Sequence, residues 1–179
     1  QNWQANNNLG AVILSKALKA PQTQRKALFE KALIQFELAN KKQETAMAYN
    51  NAAICQMFLD KRENAINSFS KANDLGSNNP KLVKAINGGK GSLEIRYGNY
   101  SAAIGNLTNA GSDVENALFN LGLAHLLKKD FAKAEQNLDS AIYTNKEDAL
   151  AHYCLAIVAA RTNKSDLVAL KLAEAIKLD

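Results

Sequence analysis

A short pattern of residues recurs along this chain and constrains its fold more than any other feature. The pattern is a small residue, a bulky apolar residue four positions later and an alanine three positions after that. Its copies are Ala32-Phe36-Ala39, Ala65-Phe69-Ala72, Ala103-Leu107-Ala110 and Ala134-Leu138-Ala141, with a weaker copy at Val168-Leu172-Ala175. The closing alanines are 33, 38, 31 and 34 residues apart. Offsets of three and four place each copy on one face of an α-helix, so the spacing predicts a helical repeat.

A second helical segment precedes each copy and carries a small residue near its middle. These small residues lie in Leu9-Gly10, Ala52-Ala53, Gly91, Leu121-Gly122 and Leu155-Ala156. Glycine or alanine there lets the two helices of a hairpin approach closely, while the bulky residue of the pattern fills the wider end. We therefore predict an all-α solenoid of five antiparallel helix pairs forming one domain. The predicted repeats are 1–43, 44–80, 81–112, 113–146 and 147–179.

Composition argues against an all-β fold, a disordered chain and a membrane-spanning chain. The 179 residues include only two prolines and nine glycines, and aromatic residues make up 7%. A protein of many short strands needs more turn residues than this. Hydrophobic residues make up 47%, which is too many for a disordered chain. No run of about 18 apolar residues occurs, so we predict no membrane-spanning segment.

The ends of the sequence are unlike natural termini. It begins at Gln1 without a methionine, and it closes at Asp179 in a stretch that is typical of the end of a helix. We expect the chain to be a segment of a longer polypeptide, whose other parts could hold a signal peptide, an anchor or a catalytic domain.

The repeat resembles the tetratricopeptide repeat (TPR) family. The best copy runs from Ala117 to His125, continues with Lys129-Asp130-Phe131-Ala132-Lys133-Ala134 and ends with Leu138 and Ala141. The resemblance covers essentially the whole chain as five helix pairs. It implies a right-handed superhelix whose first helices line a concave groove, and a function in binding proteins or peptides. The first repeat departs from the family by about ten extra residues around Ala20–Gln24, which predicts longer helices or a longer turn.

Two stretches resemble a narrower group, the TPR proteins of bacterial cell envelopes. They are Asn6-Asn7-Asn8-Leu9-Gly10 and Ala160-Arg161-Thr162-Asn163-Lys164. This resemblance implies a periplasmic or envelope location, with the cytoplasm as the alternative.

Residues that could support catalysis or hold a cofactor do not form a recognisable site. Gly88-Gly89-Lys90-Gly91-Ser92 lacks the early glycine and the hydroxyl after the lysine that a phosphate loop requires. Cys55 and Cys154 each stand alone in an apolar helix, which favours buried structural thiols. His125 and His152 fall on different helices without the partners of a metal shell. We therefore predict no catalytic residue, no cofactor, no metal and no enzymatic activity.

Groove residues follow from taking the face of each first helix opposite the packing pattern. The predicted groove comprises Asn7, Asn8, Asn50, Asn51, Ile54, Met57, Arg96, Phe119, Asn120, Leu123, Tyr153, Ile157 and Arg161. The recurring asparagines have two interpretations, since their amides could grip a peptide backbone or stabilise the adjacent helix pair. The aromatic residues could anchor apolar side chains of a partner.

The predicted function is a non-catalytic scaffold that binds a peptide or partner protein. One alternative is the repeat region of a larger enzyme or of a secretion or envelope assembly. A second alternative is nucleic-acid binding, because residues 1–90 carry 13 Lys and Arg against 6 Asp and Glu. Residues 91–179 carry 9 against 11. The basic residues come singly or in pairs, which favours a solvated basic face over a nucleic-acid site.

Overall fold

The computed structural model describes residues 2–178, and every regular element in this range is an α-helix. The helices are α1 (Trp3–Lys19), α2 (Gln22–Lys42), α3 (Ala46–Phe58), α4 (Arg62–Gly76), α5 (Pro80–Arg96), α6 (Tyr100–Ala110), α7 (Ala117–Leu127), α8 (Phe131–Thr144), α9 (Ala149–Arg161) and α10 (Ser165–Leu178). The predicted all-α class is confirmed. None of these helices is both long enough and apolar enough to cross a membrane.

Neighbouring helices in the sequence pack as hairpins. Helix α1 packs on α2, α3 on α4, α7 on α8 and α9 on α10. The first hairpin is the longest, with 17 residues in α1 and 21 in α2. Only Ala20 and Pro21 separate these two helices. The extra residues of the first repeat therefore lengthen its helices and do not form a long turn.

Four of the hairpins turn through the same backbone geometry. The residue two positions before the second helix has a positive φ in each, at Asp60, Gly98, Lys129 and Asn163. The next amide then donates to a carbonyl five residues earlier, as from Lys61 to Gln56 at 2.8 Å. These bonds satisfy carbonyls left over at the end of the first helix, which is the Schellman arrangement. The turn therefore fixes where each first helix ends.

The recurring pattern lies in the core, as predicted. Phe36, Phe69, Leu107 and Leu138 are all buried. A Cβ placed on Gly122 would lie 2.7 Å from Cγ of Leu138, closer than real side chains approach. Gly10 faces Phe36 in the same way, and Gly91 faces Leu107. The prediction that small residues let the paired helices approach is confirmed at these three positions.

The chain divides into two compact units between Lys90 and Gly91, within α5. Unit 1 contains α1 to α4 and the first part of α5, and unit 2 contains the rest. The core of unit 1 includes Phe29 and Phe36, and the ring of Phe29 stacks on that of Phe58 at 4.5 Å. The core of unit 2 includes Leu138 and Leu155. Each unit therefore has its own apolar interior.

Candidate protein-binding surface in unit 2

Helix α9 exposes an apolar stripe. Leu150 is 63% exposed, Tyr153 is 50% exposed and Ile157 is half-buried. Offsets of three and four residues bring these side chains onto one face of the helix. The opposite side of α9 is buried, with Leu155 and Val158 in the core. Helix α9 is therefore fixed by its inner face and offers the stripe to solvent.

Helix α7 lies against α9 and adds a second row of apolar side chains. Phe119 and Leu123 are half-buried, since their inner atoms pack on the core of unit 2. Leu127, one turn beyond Leu123, is exposed. Together the two helices form a surface that we call the apolar face of unit 2. Its members are Phe119, Leu123, Leu127, Leu150, Tyr153 and Ile157.

The N-terminal ends of α7 and α9 border this face with acidic residues. The loop before α7 and the turn before α9 line one cleft of about 320 Å³, and Phe119 forms part of its wall. Glu115 and Asp148 line the same cleft. Glu147, next to Asp148, is exposed. We call Asp113, Glu115, Glu147 and Asp148 the acidic edge.

The residues of the acidic edge differ in what they do for the helices. Asp148 caps α9, since its carboxylate accepts a hydrogen bond from the Ala151 amide at 3.0 Å. The capping position of α7 is occupied by Asn116, so neither Asp113 nor Glu115 caps this helix. Glu115 therefore has no capping role that would explain its place in the cleft.

The C-terminal ends of α7 and α9 border the face with basic residues. Lys128 and Lys129 follow α7, and Arg161 ends α9; all three side chains are exposed. The turn after α9 is held close to the start of α8, because Lys164 Nζ lies 2.6 Å from a carboxylate oxygen of Glu135. This bond places the two turns at the same end of the helices. We call Lys128, Lys129 and Arg161 the basic edge.

The predicted residues Arg96 and Asn120 also belong to unit 2. Arg96 is exposed at the C-terminal end of α5. The side-chain amide of Asn120 donates a hydrogen bond to Oγ of Ser92 at 3.1 Å. This bond ties α7 to α5, so it favours the interpretation that the recurring asparagine stabilises neighbouring helices.

In unit 1 the structure separates the predicted groove residues by accessibility. Asn8 is exposed, while Asn51 and Ile54 are half-buried. The remaining predicted groove residues of this unit are buried: Asn7, Asn50 and Met57.

Asn7 directs its amide nitrogen to the sulfur of Met47 at 3.8 Å, and its carbonyl oxygen has no hydrogen-bond partner. The Asn50 oxygen is unpartnered too. A partner could not reach these side chains without moving the helices. Asn7, Asn50 and Met57 therefore do not belong to an accessible surface.

Both histidines are buried beside a carboxylate. His125 Nδ1 lies 3.3 Å from Asp130, and His152 Nδ1 lies 3.2 Å from Glu174. Both pairs are within ion-pair distance, although neither is aligned as a hydrogen bond. Burial lowers the pKa of His125, against the opposing effect of Asp130. Among residues 2–178, no three His, Cys, Asp or Glu side chains are grouped to hold a metal ion.

The two thiols are buried in helices α3 and α9. Burial raises the pKa of Cys55 to about 12 and that of Cys154 to about 11. Both thiols are therefore protonated at neutral pH and are weak nucleophiles. The glycine-rich stretch 88–92 lies inside the continuous helix α5, a conformation that does not cradle a phosphate.

Sequence reasoning identified Arg161 of the basic edge, but it did not identify Leu127, Leu150, the two lysines of the basic edge or the acidic edge as parts of this surface. The spacing of Leu150, Tyr153 and Ile157 could have indicated the stripe, because offsets of three and four place all three residues on the side of α9 that the packing pattern leaves free. The edges carried no comparable signal, because their residues are far apart in the sequence and meet only at the ends of the packed helices.

Comparison with known proteins identifies the fold. No family model and no curated protein matches the sequence. Among solved structures, PilF of Pseudomonas aeruginosa matches 98% of this chain over 78% of its own length, with a TM-score of 0.77 and 16% identity. A tetratricopeptide repeat protein of Parabacteroides merdae matches 99% of this chain over 65% of its own length, with a TM-score of 0.68 and 14% identity.

A chain of the Cut9–Hcn1 hetero-tetramer of the APC/C gives a TM-score of 0.75 at 18% identity. The match covers 86% of this chain, which spans 30% of that longer chain. Identities this low show the fold alone. The chain has the helical-repeat fold of tetratricopeptide repeat proteins. The fold implied by the resemblance in its sequence is therefore confirmed.

Proposed function

We propose that this chain is a non-catalytic scaffold that binds a peptide or a partner protein on the apolar face of unit 2. The observation that carries the proposal is the exposure of Leu127, Leu150 and Tyr153 on two adjacent helices whose other sides are buried. Repeat proteins pack each repeat only on its neighbours, which leaves long surfaces open for partners. Aromatic side chains are enriched where such surfaces bind.

The residues of unit 2 support a binding role without catalysis. Cys154, its one cysteine, is protonated at neutral pH, and the described residues contain no metal-binding group. A surface that combines apolar centre and charged borders resembles the core and rim of protein interfaces. We expect the purified chain to turn over no substrate, and activity that persists through repeated purification would contradict this.

Site-specific photo-crosslinking tests where partners bind. A benzophenone amino acid placed at Tyr153 lies on the apolar face. The same group placed at Tyr143 is the matched control, since Tyr143 is 84% exposed but lines a different cavity with Lys171 and Glu174. We expect a discrete adduct in a lysate of the native organism from position 153 and none from position 143. Equal adducts from both positions would contradict the proposal.

The affinity of the crosslinked partner then gives the decisive measurement. Phe119→Ala combined with Tyr153→Ala is expected to weaken binding by about 2 kcal/mol, because aromatic anchors dominate interfaces of this kind. Substitution of Lys133 or Lys171 by alanine, on the second helices α8 and α10, is expected to leave the affinity unchanged. The proposal fails if the lysine variants lose the partner and the aromatic double variant retains it.

A further inference from the structure

Resting on the proposed function, we infer the chemistry of the partner segment that the apolar face of unit 2 binds. The segment is an amphipathic α-helix with an apolar stripe, cationic side chains along one flank and anionic side chains along the other. Three observations support this assignment: the width of the apolar face, the acidic edge on one side of it and the basic edge on the other.

The width of the face matches a helix better than an extended chain. Phe119 and Leu127 mark its two ends along α7 and are eight residues apart. At 1.5 Å per residue this distance is about 12 Å. An α-helix with its side chains is about 10–12 Å across and would touch both edges at once. The backbone of an extended chain is narrower, about 5 Å at the spacing of neighbouring strands, so it would touch both edges only through side chains that project along the face.

The acidic edge fits cationic side chains. Glu115 and Asp148 line the cleft beside Phe119, and the nearby Glu147 is exposed. Lys146 is the one cation of this turn, and it lines a different cavity with His152. A lysine or arginine that projects from a bound helix would therefore meet carboxylates and an aromatic ring in the cleft.

The basic edge fits anionic side chains. Lys128, Lys129 and Arg161 are exposed at the opposite ends of the same helices. Asp130, the acidic residue of the turn after α7, is engaged by Lys133 at 3.6 Å and lies beside His125. The edge therefore has an excess of positive charge. Since the two edges differ in sign, a helix with one sign of charge on both flanks would meet a like charge on one side.

The direction of the bound helix is set by its own charges. A helix that crosses α7 and then α9 has one flank over each edge. Exchanging the charges of its two flanks is equivalent to reversing its direction, so such an exchange is no control. The informative control is a peptide of the same composition in which each flank carries both signs.

A displayed library of 16-residue helical peptides tests the inference on the full chain. Leucine is fixed along one stripe, and the flanking positions vary among Lys, Glu and Gln. Enriched peptides are expected to carry Lys on one flank and Glu on the other. The best of them, made synthetically, is expected to bind about tenfold more tightly than its charge-scrambled control at low salt, and the difference is expected to shrink at high salt.

A charge-reversal variant provides the second readout. Glu115→Lys with Glu147→Lys leaves two Lys against Asp113 and Asp148, so the acidic edge loses its net negative charge while Asp148, the capping residue of α9, stays in place. The variant must keep the circular dichroism spectrum of the parent. Its enriched peptides are then expected to keep Glu on the flank that faces the basic edge and to lose the preference for Lys on the other flank. The inference would be overturned if the parent and the variant enriched peptides with the same flank charges. It would also be overturned if the peptides enriched by the parent showed no separation of charge between their flanks.

A proline in the middle of the best peptide distinguishes a helix from an extended chain, because a helix does not tolerate it. We expect the proline peptide not to bind, and equal binding would overturn the helical assignment while leaving the proposed function intact. If no peptide is enriched, the inference is overturned, whereas the proposed function fails only if the enriched peptides bind a Tyr153→Ala variant equally well.

Discussion

The first helices of unit 1 bury amide side chains, whereas those of unit 2 bury histidines that lie beside carboxylates. In unit 1, Asn7, Asn50 and Gln56 are buried, and each has a side-chain oxygen without a partner. In unit 2, His125 and His152 are buried on the corresponding helices, and their Nδ1 atoms lie 3.3 Å from Asp130 and 3.2 Å from Glu174. The same recurring pattern packs both units. The pattern therefore specifies how the helices pair and leaves the buried polar residues of the first helices free to differ.

Two of the second helices, one from each unit, differ in how many bulky residues they bury. Helix α2 buries Phe29, Leu33 and Phe36, while α10 has Ala175 as its buried residue and keeps Leu170 and Ile176 exposed. Buried apolar area is the main source of stability. Helix α10 is therefore held by less buried apolar area than α2, although apolar side chains are exposed in both units.

The largest expected effect tests the packing that both units share. Gly122→Trp would force a ring into the space of Leu138, where even a Cβ would lie 2.7 Å away. We expect the free energy of unfolding to fall by about 3 kcal/mol, at the upper end of overpacking costs. Gly105→Trp is the matched control, because Gly105 is exposed on α6 with nothing within 4 Å of its missing Cβ. Urea denaturation of both variants gives the comparison, and equal losses would contradict the assignment of Gly122.

Replacing one asparagine in each unit by leucine tests what the amides contribute to stability. We expect smaller effects here, with opposite signs in the two units. Asn50→Leu removes a buried oxygen that has no partner, so we expect it to stabilise the protein by about 1 kcal/mol. Asn120→Leu removes the hydrogen bond to Ser92 and is expected to destabilise it by about 1 kcal/mol. Thermal unfolding of both variants measures the two signs. Destabilisation by both would show that the Asn50 amide contributes to the fold after all.

The smallest expected effect is a pH dependence that arises in unit 2. Burial lowers the pKa of His125 below its ordinary value of 6.5, so around pH 6 the unfolded chain binds this proton to a greater extent than the folded protein does. The contribution of His125 to the free energy of unfolding is therefore fully present above about pH 6.5. It is lost as the pH falls toward the pKa of the folded state. Urea midpoints between pH 7.5 and pH 5 measure the slope. His125→Asn is expected to flatten it, and an unchanged slope would show that other groups are responsible.

The packing of the fold was predictable because it depends on local spacing. The offsets of Ala134, Leu138 and Ala141 define one helical face, and a bulky residue paired with Gly122 on the preceding helix can be inferred from size alone. The shared turn geometry was less accessible. Gly98, Asp60 and Asn163 are of residue types that occur readily at a positive φ, whereas Lys129 adopts the same conformation with a side chain that gives no such signal.

The amino-acid sequence by itself determined that this chain is all-helical, that its helices pair in repeats and which residues fill the interior between them. These properties follow from interactions within a few turns of helix. Only the tertiary structure decided that Asn50 and Met57 are buried, that Leu127 and Leu150 are exposed, and that acidic and basic residues border the face between them. The physical reason is that exposure and charge borders depend on which helices cover one another, and side chains from Glu115 to Arg161 meet there only after the helices have packed.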